Sequence, residues 1–316
     1  MDTFFVYGYS WCTKFKFQVI LYAIQEVKRE EDMSKELMPK KLHKYIWIFG
    51  ICISLFVFFF WQNNALVTSL YIFESDRIGE AVDGYRIVQI SDLHNKRFGR
   101  EQNRLLENIK LCEPDMIVVT GDLVDSNHTN LGAAMEFIHG AVSIAPVYYV
   151  TGNHEKWLDE GTEAELLKQL KEEGVTCLDD EKEEIKTGQD SFLLLGLDDA
   201  HLMDDTLGLL VSDKAGLPSA EDTFTVLLAH EPQNLLQYSN AGMDLVLSGH
   251  AHGGQVRLPF VGGIVAPDQG FFPEYTAGLY EKNGTSMIVS RGLGNSIIPV
   301  RIFNRPEIVC VELRKK

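Results

Sequence analysis

Reactive side chains in this chain are concentrated in four short groups of acidic, histidine and asparagine residues and in one isolated histidine. In chain order they are Asp92-Leu93-His94, Gly121-Asp122-Leu123-Val124-Asp125, Gly152-Asn153-His154-Glu155, His230 and Gly249-His250-Ala251-His252. Carboxylate, imidazole and amide oxygen groups, without thiolates, are ligands that suit divalent ions such as Mn, Fe and Zn. The residue types therefore predict a metal site.

Each group follows a short apolar run of the kind that forms a buried strand. The runs cover residues 85–90, 116–119, 147–150, 224–229 and 245–247. Ligand sites of open α/β sheets lie outside the carboxyl ends of strands, so five strand ends would bring these side chains to one edge. A lone histidine such as His230 is more often a hydrogen-bonded core residue, but that role does not explain the ordered set. So many ligands are too many for one tetrahedral ion and suit two ions that share a carboxylate.

The order and spacing of these motifs resemble those of the calcineurin-like metallophosphoesterases, over residues 83–313. The resemblance implies a four-layer α/β/β/α sandwich with two divalent metal ions, Mn, Zn or Fe, at the strand ends. It assigns one ion to Asp92, His94 and His252. It assigns the other ion to Asn153, His230 and His250, with Asp122 as the bridge between the two ions.

The same resemblance implies a mechanism in which a hydroxide between the two ions attacks phosphorus in line with the leaving group. His154 corresponds to the catalytic histidine of the family and would stabilise the transition state or protonate the leaving oxygen. Asp125 would pair with His154, orient its ring and raise its pKa. Three arginines that follow the last motif are candidate phosphate contacts, although structural pairing is the more common role of such residues: Arg257, Arg291 and Arg301.

The residues after Asp125 narrow the expected substrate. Phosphoprotein phosphatases of this superfamily have Asp-Arg-Gly after the bridging aspartate, whereas Ser126 and Asn127 follow Asp125 here. A doubly charged monoester needs more cationic contact than a singly charged diester, so the sequence favours phosphodiesters or pyrophosphates. The stretches 253–259, 290–294 and 299–301 also look like those of membrane-anchored bacterial phosphodiesterases, similar to enzymes that cleave UDP-2,3-diacylglucosamine. The expected partner is a phosphorylated substrate, lipid-linked or nucleotide-linked.

Two other functions are compatible with the motifs. One is a metal-dependent, membrane-tethered binding protein on an inactive esterase fold, but inactive relatives lose a ligand or the catalytic histidine, and every motif position is filled here. The other is a nuclease of the same superfamily. Against it, the 316 residues carry a net charge of −16, and nucleic-acid backbones are bound by basic surfaces. We therefore expect no nucleic-acid partner.

An uncharged apolar run, Tyr45 to Trp61, is compatible with a buried core helix, the apolar region of a signal peptide or a transmembrane anchor. No face of the run is polar, and no clear small-residue cleavage site follows its bulky end, so we favour an uncleaved transmembrane anchor. Lysines precede the run and the next basic residue after it is Arg77, so the positive-inside rule predicts a cytoplasmic N-terminus and an extracytoplasmic catalytic domain in the cell membrane. The predicted organisation is a cytoplasmic segment at 1–44, the anchor at 45–61, a short tether at 62–67 and the metallophosphoesterase domain at 68–316. One hypothesis is that translation begins at Met38, directly before the basic flank of the anchor.

The rest of the chain alternates between predicted helices and strands. Amphipathic patterns predict helices at 100–111 and 163–173, and apolar patterns predict strands at 68–73, 192–197 and 307–313, the first of them at a sheet edge. The glycine- and aromatic-rich stretch 260–280 is predicted to be a long loop or a hairpin, which either shapes the substrate site or is a plain surface connection.

Overall fold

The computed structural model describes residues 18, 21–30, 40–198, 207, 223–295 and 299–316. It divides into two compact units, Met1–Phe58 and Phe59–Lys316. Most of the predicted cytoplasmic segment, including Met38, lies outside the described residues. Within the described part of the first unit, residues 21–30 and residues from Lys40 onward are helical.

The predicted anchor forms part of one long helix, α1 (Lys40–Asn64). Its stretch Leu42–Asn64 has a mean hydropathy of 1.9 and is the one helix in the described part of the chain that is long and apolar enough to cross a membrane. At about 1.5 Å per residue, a helix of this length exceeds a hydrocarbon core of roughly 30 Å. The side-chain amides of Asn63 and Asn64 donate to the carbonyls of Phe59 and Phe60, four residues earlier in the same helix. The helix fits a single transmembrane segment.

Two six-stranded sheets form the framework of the second unit. The first sheet has the spatial order β1 (Val67–Ser75), β16 (Glu307–Lys315), β2 (Arg86–Ile90), β3 (Met116–Thr120), β4 (Val147–Val150) and β5 (Thr176–Cys177). The second has the order β14 (Gly278–Lys282), β15 (Thr285–Val289), β9 (Leu245–Ser248), β8 (Thr225–Leu228), β7 (Asp190–Gly196) and β6 (Glu181–Thr187). Strands β2, β3 and β4 are parallel, as are β7, β8 and β9, so their carboxyl ends share an edge in each sheet.

Three hydrophobic clusters separate the layers. Val88 and Ile90 pack under the helices α2 (Asn103–Leu111), α3 (Leu131–Ala141) and α4 (Glu160–Glu172), whereas Ile87 belongs to the cluster between the two sheets. This alternation follows from the two-residue period of a strand. A third cluster packs the outer face of the second sheet against α5 (Leu235–Asn240). The predicted four-layer α/β/β/α sandwich is confirmed.

The predicted strands are all present, and 68–73 forms part of the edge strand β1, which pairs in parallel with β16. The helix predicted at 100–111 is shorter, because Glu101 and Gln102 have positive φ angles of 51° and 56°. The buried Gln102 side chain accepts from the Phe98 N–H and donates to the Lys96 carbonyl, which holds this turn out of helical geometry. Ala65 and Leu66 connect α1, which ends at Asn64, to β1, which begins at Val67.

The stretch after the last motif is built of two small hairpins rather than an open loop. The first pairs β10 (Arg257–Leu258) with β11 (Gly262–Gly263), and the second pairs β12 (Val265–Ala266) with β13 (Gly270–Phe271). The N–H of Phe272 donates to the carbonyl of Ile264, 2.9 Å away, which ties the two hairpins together.

Candidate metal centre

The motif side chains lie just beyond the carboxyl ends of five strands: the parallel strands β2, β3 and β4 of the first sheet and the parallel strands β8 and β9 of the second. Several of them occupy the left-handed backbone region that non-glycine residues seldom adopt: Asp92 (φ 52°), His94 (45°), Asp122 (52°), His250 (63°) and His252 (46°). Such backbone strain persists only where surrounding contacts impose it, and it is concentrated at functional sites. Contacts in the folded domain therefore stabilise an unfavourable backbone conformation at the strand ends, and this conformation positions the motif side chains.

One group of candidate ligands consists of Asp92, His94, Asp122 and His252, whose ligand atoms all lie within 4.8 Å of one another. The Nε2 atoms of His94 and His252 are 3.1 Å apart. Nε2 of His94 lies 3.5 Å from Oδ2 of Asp122, and Nε2 of His252 lies 3.4 Å from Oδ1 of Asp92. All four residues are buried.

A second group, Asp122, His230 and His250, meets the first at the shared carboxylate of Asp122. Nε2 of His230 lies 3.3 Å from Oδ2 of Asp122, the same oxygen that faces His94. Oδ1 of Asn153 completes the group, at 3.1 Å from Nε2 of His230 and 2.8 Å from Nδ1 of His250. The structure thus brings all seven predicted ligands together, in two groups that share one carboxylate.

The chemistry of these residues fits divalent cations. Burial lowers the pKa of His94 and of His252, so both rings are neutral and present a lone pair, the form of imidazole that binds metals. Burial opposes ionisation of Asp122, but the interaction with His230 outweighs burial and holds the pKa of this carboxyl well below its usual range. Oδ2 of Asp92 is buried and has no hydrogen-bond partner among the described residues. Burial of a carboxylate oxygen without a hydrogen-bond partner costs free energy unless a bound cation interacts with that oxygen.

His154 is buried beside the first group, and its ring centroid lies 4.5 Å from that of His94. Its backbone N–H donates to Oδ1 of Asp122 at 2.9 Å. Nδ1 accepts the backbone N–H of Ser126 at 3.1 Å and lies 3.2 Å from the Ser126 hydroxyl, whereas Oδ1 of the predicted partner Asp125 is 3.7 Å away. Ser126 is therefore the closer contact and Asp125 a more distant one.

Two carboxylates outside the predicted set support the site. Glu155 accepts the backbone N–H groups of Asp122 and Gly152, both at 2.8 Å, and of Val124 at 3.1 Å. Burial, with a further contribution from Asp122, raises the pKa of Glu155 to about 8. Oδ2 of Asp268 lies 2.8 Å from Nε2 of His250, a carboxylate–histidine pair of the kind that orients metal-binding imidazoles. Glu155 stands inside the third motif, whereas no sequence signal connects Asp268 with His250.

The three arginines proposed as phosphate contacts are engaged within the protein. Arg301 is fully buried and donates to the carbonyls of Gly294, Arg291 and Asn304. Arg291 forms an ion pair with Glu307 at 2.8 Å, and Arg257 donates to the carbonyl of Gly253 at 2.8 Å. All three guanidinium groups thus have partners within the protein itself.

Comparison with known proteins gives one family and several relatives. The model of the family described as calcineurin-like phosphoesterase matches residues 85–254. The chain is 31% identical over 268 residues to the uncharacterized metallophosphoesterase YkuE of Bacillus subtilis, covering 80% of this chain and 87% of that protein. It is 31% identical over 235 residues to the phosphodiesterase YaeI of Escherichia coli, covering 72% and 82%. It is 33% identical over 248 residues to a transmembrane protein with metallophosphoesterase domain of Bos taurus, covering 73% and 53%.

Proposed function

As a member of the calcineurin-like phosphoesterase family, this chain is a metal-dependent phosphoesterase, and we propose that it is a membrane-anchored enzyme that hydrolyses phosphodiester or pyrophosphate bonds with two divalent ions. The observation that carries the proposal is the position of Asp122, whose Oδ2 faces His94 in one ligand group and His230 in the other. Asp92, His94 and His252 would hold one ion, and Asn153, His230 and His250 the other. Mn, Zn and Fe all suit this ligand set.

The ions, when bound, lower the pKa of water and polarise the phosphoryl oxygens. The chain itself positions the proton donor. Because Nδ1 of His154 accepts the Ser126 N–H, the proton of the neutral ring resides on Nε2, from which it can pass to a leaving oxygen. Asp122 connects metal binding with the positioning of His154. Its Oδ2 faces the ligand histidines, and its Oδ1 accepts the His154 backbone N–H. In this proposal, Asp125 acts on His154 only at a distance.

The engaged arginines support a diester or pyrophosphate substrate. Arg257, Arg291 and Arg301 are held by internal carbonyls and by Glu307, so none of these three is placed to grip the second charge of a monoester. A relative named as a phosphodiesterase, YaeI, supports the same choice.

The helix Lys40–Asn64 supports the membrane anchor, as does the relative named as a transmembrane protein. Within the proposal, residues 1–44 are cytoplasmic, 45–61 span the membrane, 62–67 lead out of it, and 68–316 form the catalytic domain. The lysines before the span favour an extracytoplasmic catalytic domain.

The test compares ester classes with the purified full-length protein. We expect Mn²⁺-dependent hydrolysis of bis(p-nitrophenyl) phosphate with a higher kcat/KM than that of p-nitrophenyl phosphate. A clear preference for the monoester would contradict the proposed bond type. Digestion of single-stranded DNA under the same conditions would favour a nuclease, and binding of Mn²⁺ without hydrolysis of any ester would favour a metal-dependent binding protein.

A further inference from the structure

Four large apolar side chains on the two hairpins after the last metal motif are exposed to solvent. Phe260 is 109% exposed, Val261 56%, Phe271 78% and Phe272 69%, and we call this set the aromatic rim. Phe260 and Val261 lie at the tip of the first hairpin, Phe271 lies at the end of the second hairpin, and Phe272 follows it. The hydrogen bond from the Phe272 N–H to the Ile264 carbonyl joins the two hairpins. Single exposed apolar residues are common, but a group of this kind on one small substructure marks an interaction surface.

Hydrogen bonds connect the hairpins that carry the aromatic rim to the candidate metal centre. The second hairpin carries Asp268, whose carboxylate contacts His250 at 2.8 Å. The first hairpin begins at Arg257, five residues after His252. The N–H of Ile264, which follows this hairpin, donates to the carbonyl of Val256 at 2.9 Å. A surface that docks through the rim would therefore hold the ligand histidines close to it.

The segment 302–305 contacts both the first hairpin and the end of the apolar helix α1. The N–H of Arg257 donates to the carbonyl of Ile302 at 3.0 Å. Two residues further along, the N–H of Asn304 donates to Oε1 of Gln62 at 3.3 Å. The guanidinium of Arg305 lies 4.8 Å from the centre of the Trp61 ring. Phe303, between these contacts, is 57% exposed.

The second unit thus contains both the point at which a membrane-spanning chain would leave the bilayer and an exposed aromatic surface joined to that point. Gln62 is only 3% exposed, so the exit point is held against the domain instead of extended as a free linker. Aromatic side chains are favoured at the interface between lipid headgroups and acyl chains, since their rings bury apolar surface there. The series of contacts from Trp61 through residues 302–305 to the first hairpin favours the bilayer as the partner of the rim.

We infer that the aromatic rim inserts into the surface of the bilayer that anchors the protein, so that the metal centre opens toward the lipid headgroups and acts on a phosphodiester or pyrophosphate at that level. This inference rests on the proposed function for the anchor and for the reaction. It adds two points to the proposed function. The rim is a second, independent attachment to lipid, and the substrate is consequently lipid-linked.

The test places a photo-crosslinker on the rim of the full-length protein. Phe260→p-benzoylphenylalanine and Phe271→p-benzoylphenylalanine are reconstituted in vesicles of phosphatidylethanolamine and phosphatidylglycerol and irradiated. Leu111→p-benzoylphenylalanine is the matched control, because Leu111 is 82% exposed at the end of α2, away from both hairpins in the chain. We expect phospholipid adducts at 260 and 271 by mass spectrometry and far fewer at 111.

The triple variant Phe260→Ser/Phe271→Ser/Phe272→Ser gives a second readout. It should hydrolyse bis(p-nitrophenyl) phosphate as the wild type does, and its adduct yield from Val261→p-benzoylphenylalanine should fall roughly tenfold because the apolar surface that holds the hairpin in lipid is gone. Absence of lipid adducts at 260 and 271, equal adducts at 111, or crosslinks to a second copy of the chain would each overturn the inference. Lipid adducts in a protein that hydrolyses no diester would instead leave the rim contact standing and refute the proposed reaction.

Discussion

The backbone N–H of Ser126 donates to Nδ1 of His154 across 3.1 Å, closer than the 3.7 Å between that nitrogen and the carboxylate of Asp125. A backbone amide is always a donor, so this contact fixes which ring nitrogen of a neutral His154 carries the proton. Position 126 therefore matters through its main chain, whichever side chain it carries.

Asp125→Asn should accordingly have a small effect. A carboxylate beyond hydrogen-bond distance contributes a weak electrostatic interaction, so we expect kcat to fall less than about tenfold. Steady-state kinetics with bis(p-nitrophenyl) phosphate provide the measurement, and Ser126→Ala, which keeps the backbone donor, is the matched control. A loss for Asp125→Asn as large as that for His154→Ala would show that the Asp125–His154 pair is the working unit.

Substitutions at Asp122 and His154 should separate metal binding from proton transfer. Asp122→Asn removes charge from the oxygen shared by both ligand groups, so metal content and activity should fall together. His154→Ala should keep its metal while kcat falls about 10²–10⁴-fold, the usual contribution of a general acid. Metal analysis of both purified variants, beside their kinetics, makes the comparison. Loss of an ion from His154→Ala would place His154 among the ligands.

Asp179 should make the stability of the protein depend on pH. Its carboxylate accepts the N–H of Thr151 at 2.8 Å, and burial raises its pKa from 3.8 to about 6. Between these values the folded state keeps a proton that the unfolded state releases, so this group lowers the free energy of unfolding as pH rises. Asp179→Asn stays neutral, and relative to the wild type it should gain up to about 3 kcal/mol between about pH 4 and pH 7. Thermal unfolding across this range measures the difference, and a constant difference would contradict the assignment.

Protease treatment of spheroplasts tests the orientation. Since lysines flank the N-terminal side of the apolar helix, we expect protease added outside to degrade the catalytic domain. A cytoplasmic protein that stays intact is the control for lysis. Full protection of the catalytic domain until the cells are lysed would reverse the proposed topology.

Much of the site could be predicted from sequence because each motif follows a short apolar run of the kind that forms a buried strand. The runs before Asp92 and Asp122 predict the strands β2 and β3 closely, and parallel strands end at one edge. Contacts between distant segments could not be predicted in the same way. The turn at Gln102 depends on hydrogen bonds to Phe98 and Lys96, and the contact of Asp268 with His250 depends on the fold of two hairpins. The role of Ser126 was hidden because its donor is a backbone group.

The most direct test of a two-ion esterase centred on Asp122 is a metal titration of the full-length protein. After removal of metal by a chelator, Mn²⁺ is added in steps while bound metal and hydrolysis of bis(p-nitrophenyl) phosphate are measured in the same samples. For a two-ion centre, we expect no hydrolysis without metal and full activity only as the bound metal approaches two ions per chain. Full activity with one ion or with none, or two bound ions without hydrolysis, would contradict it.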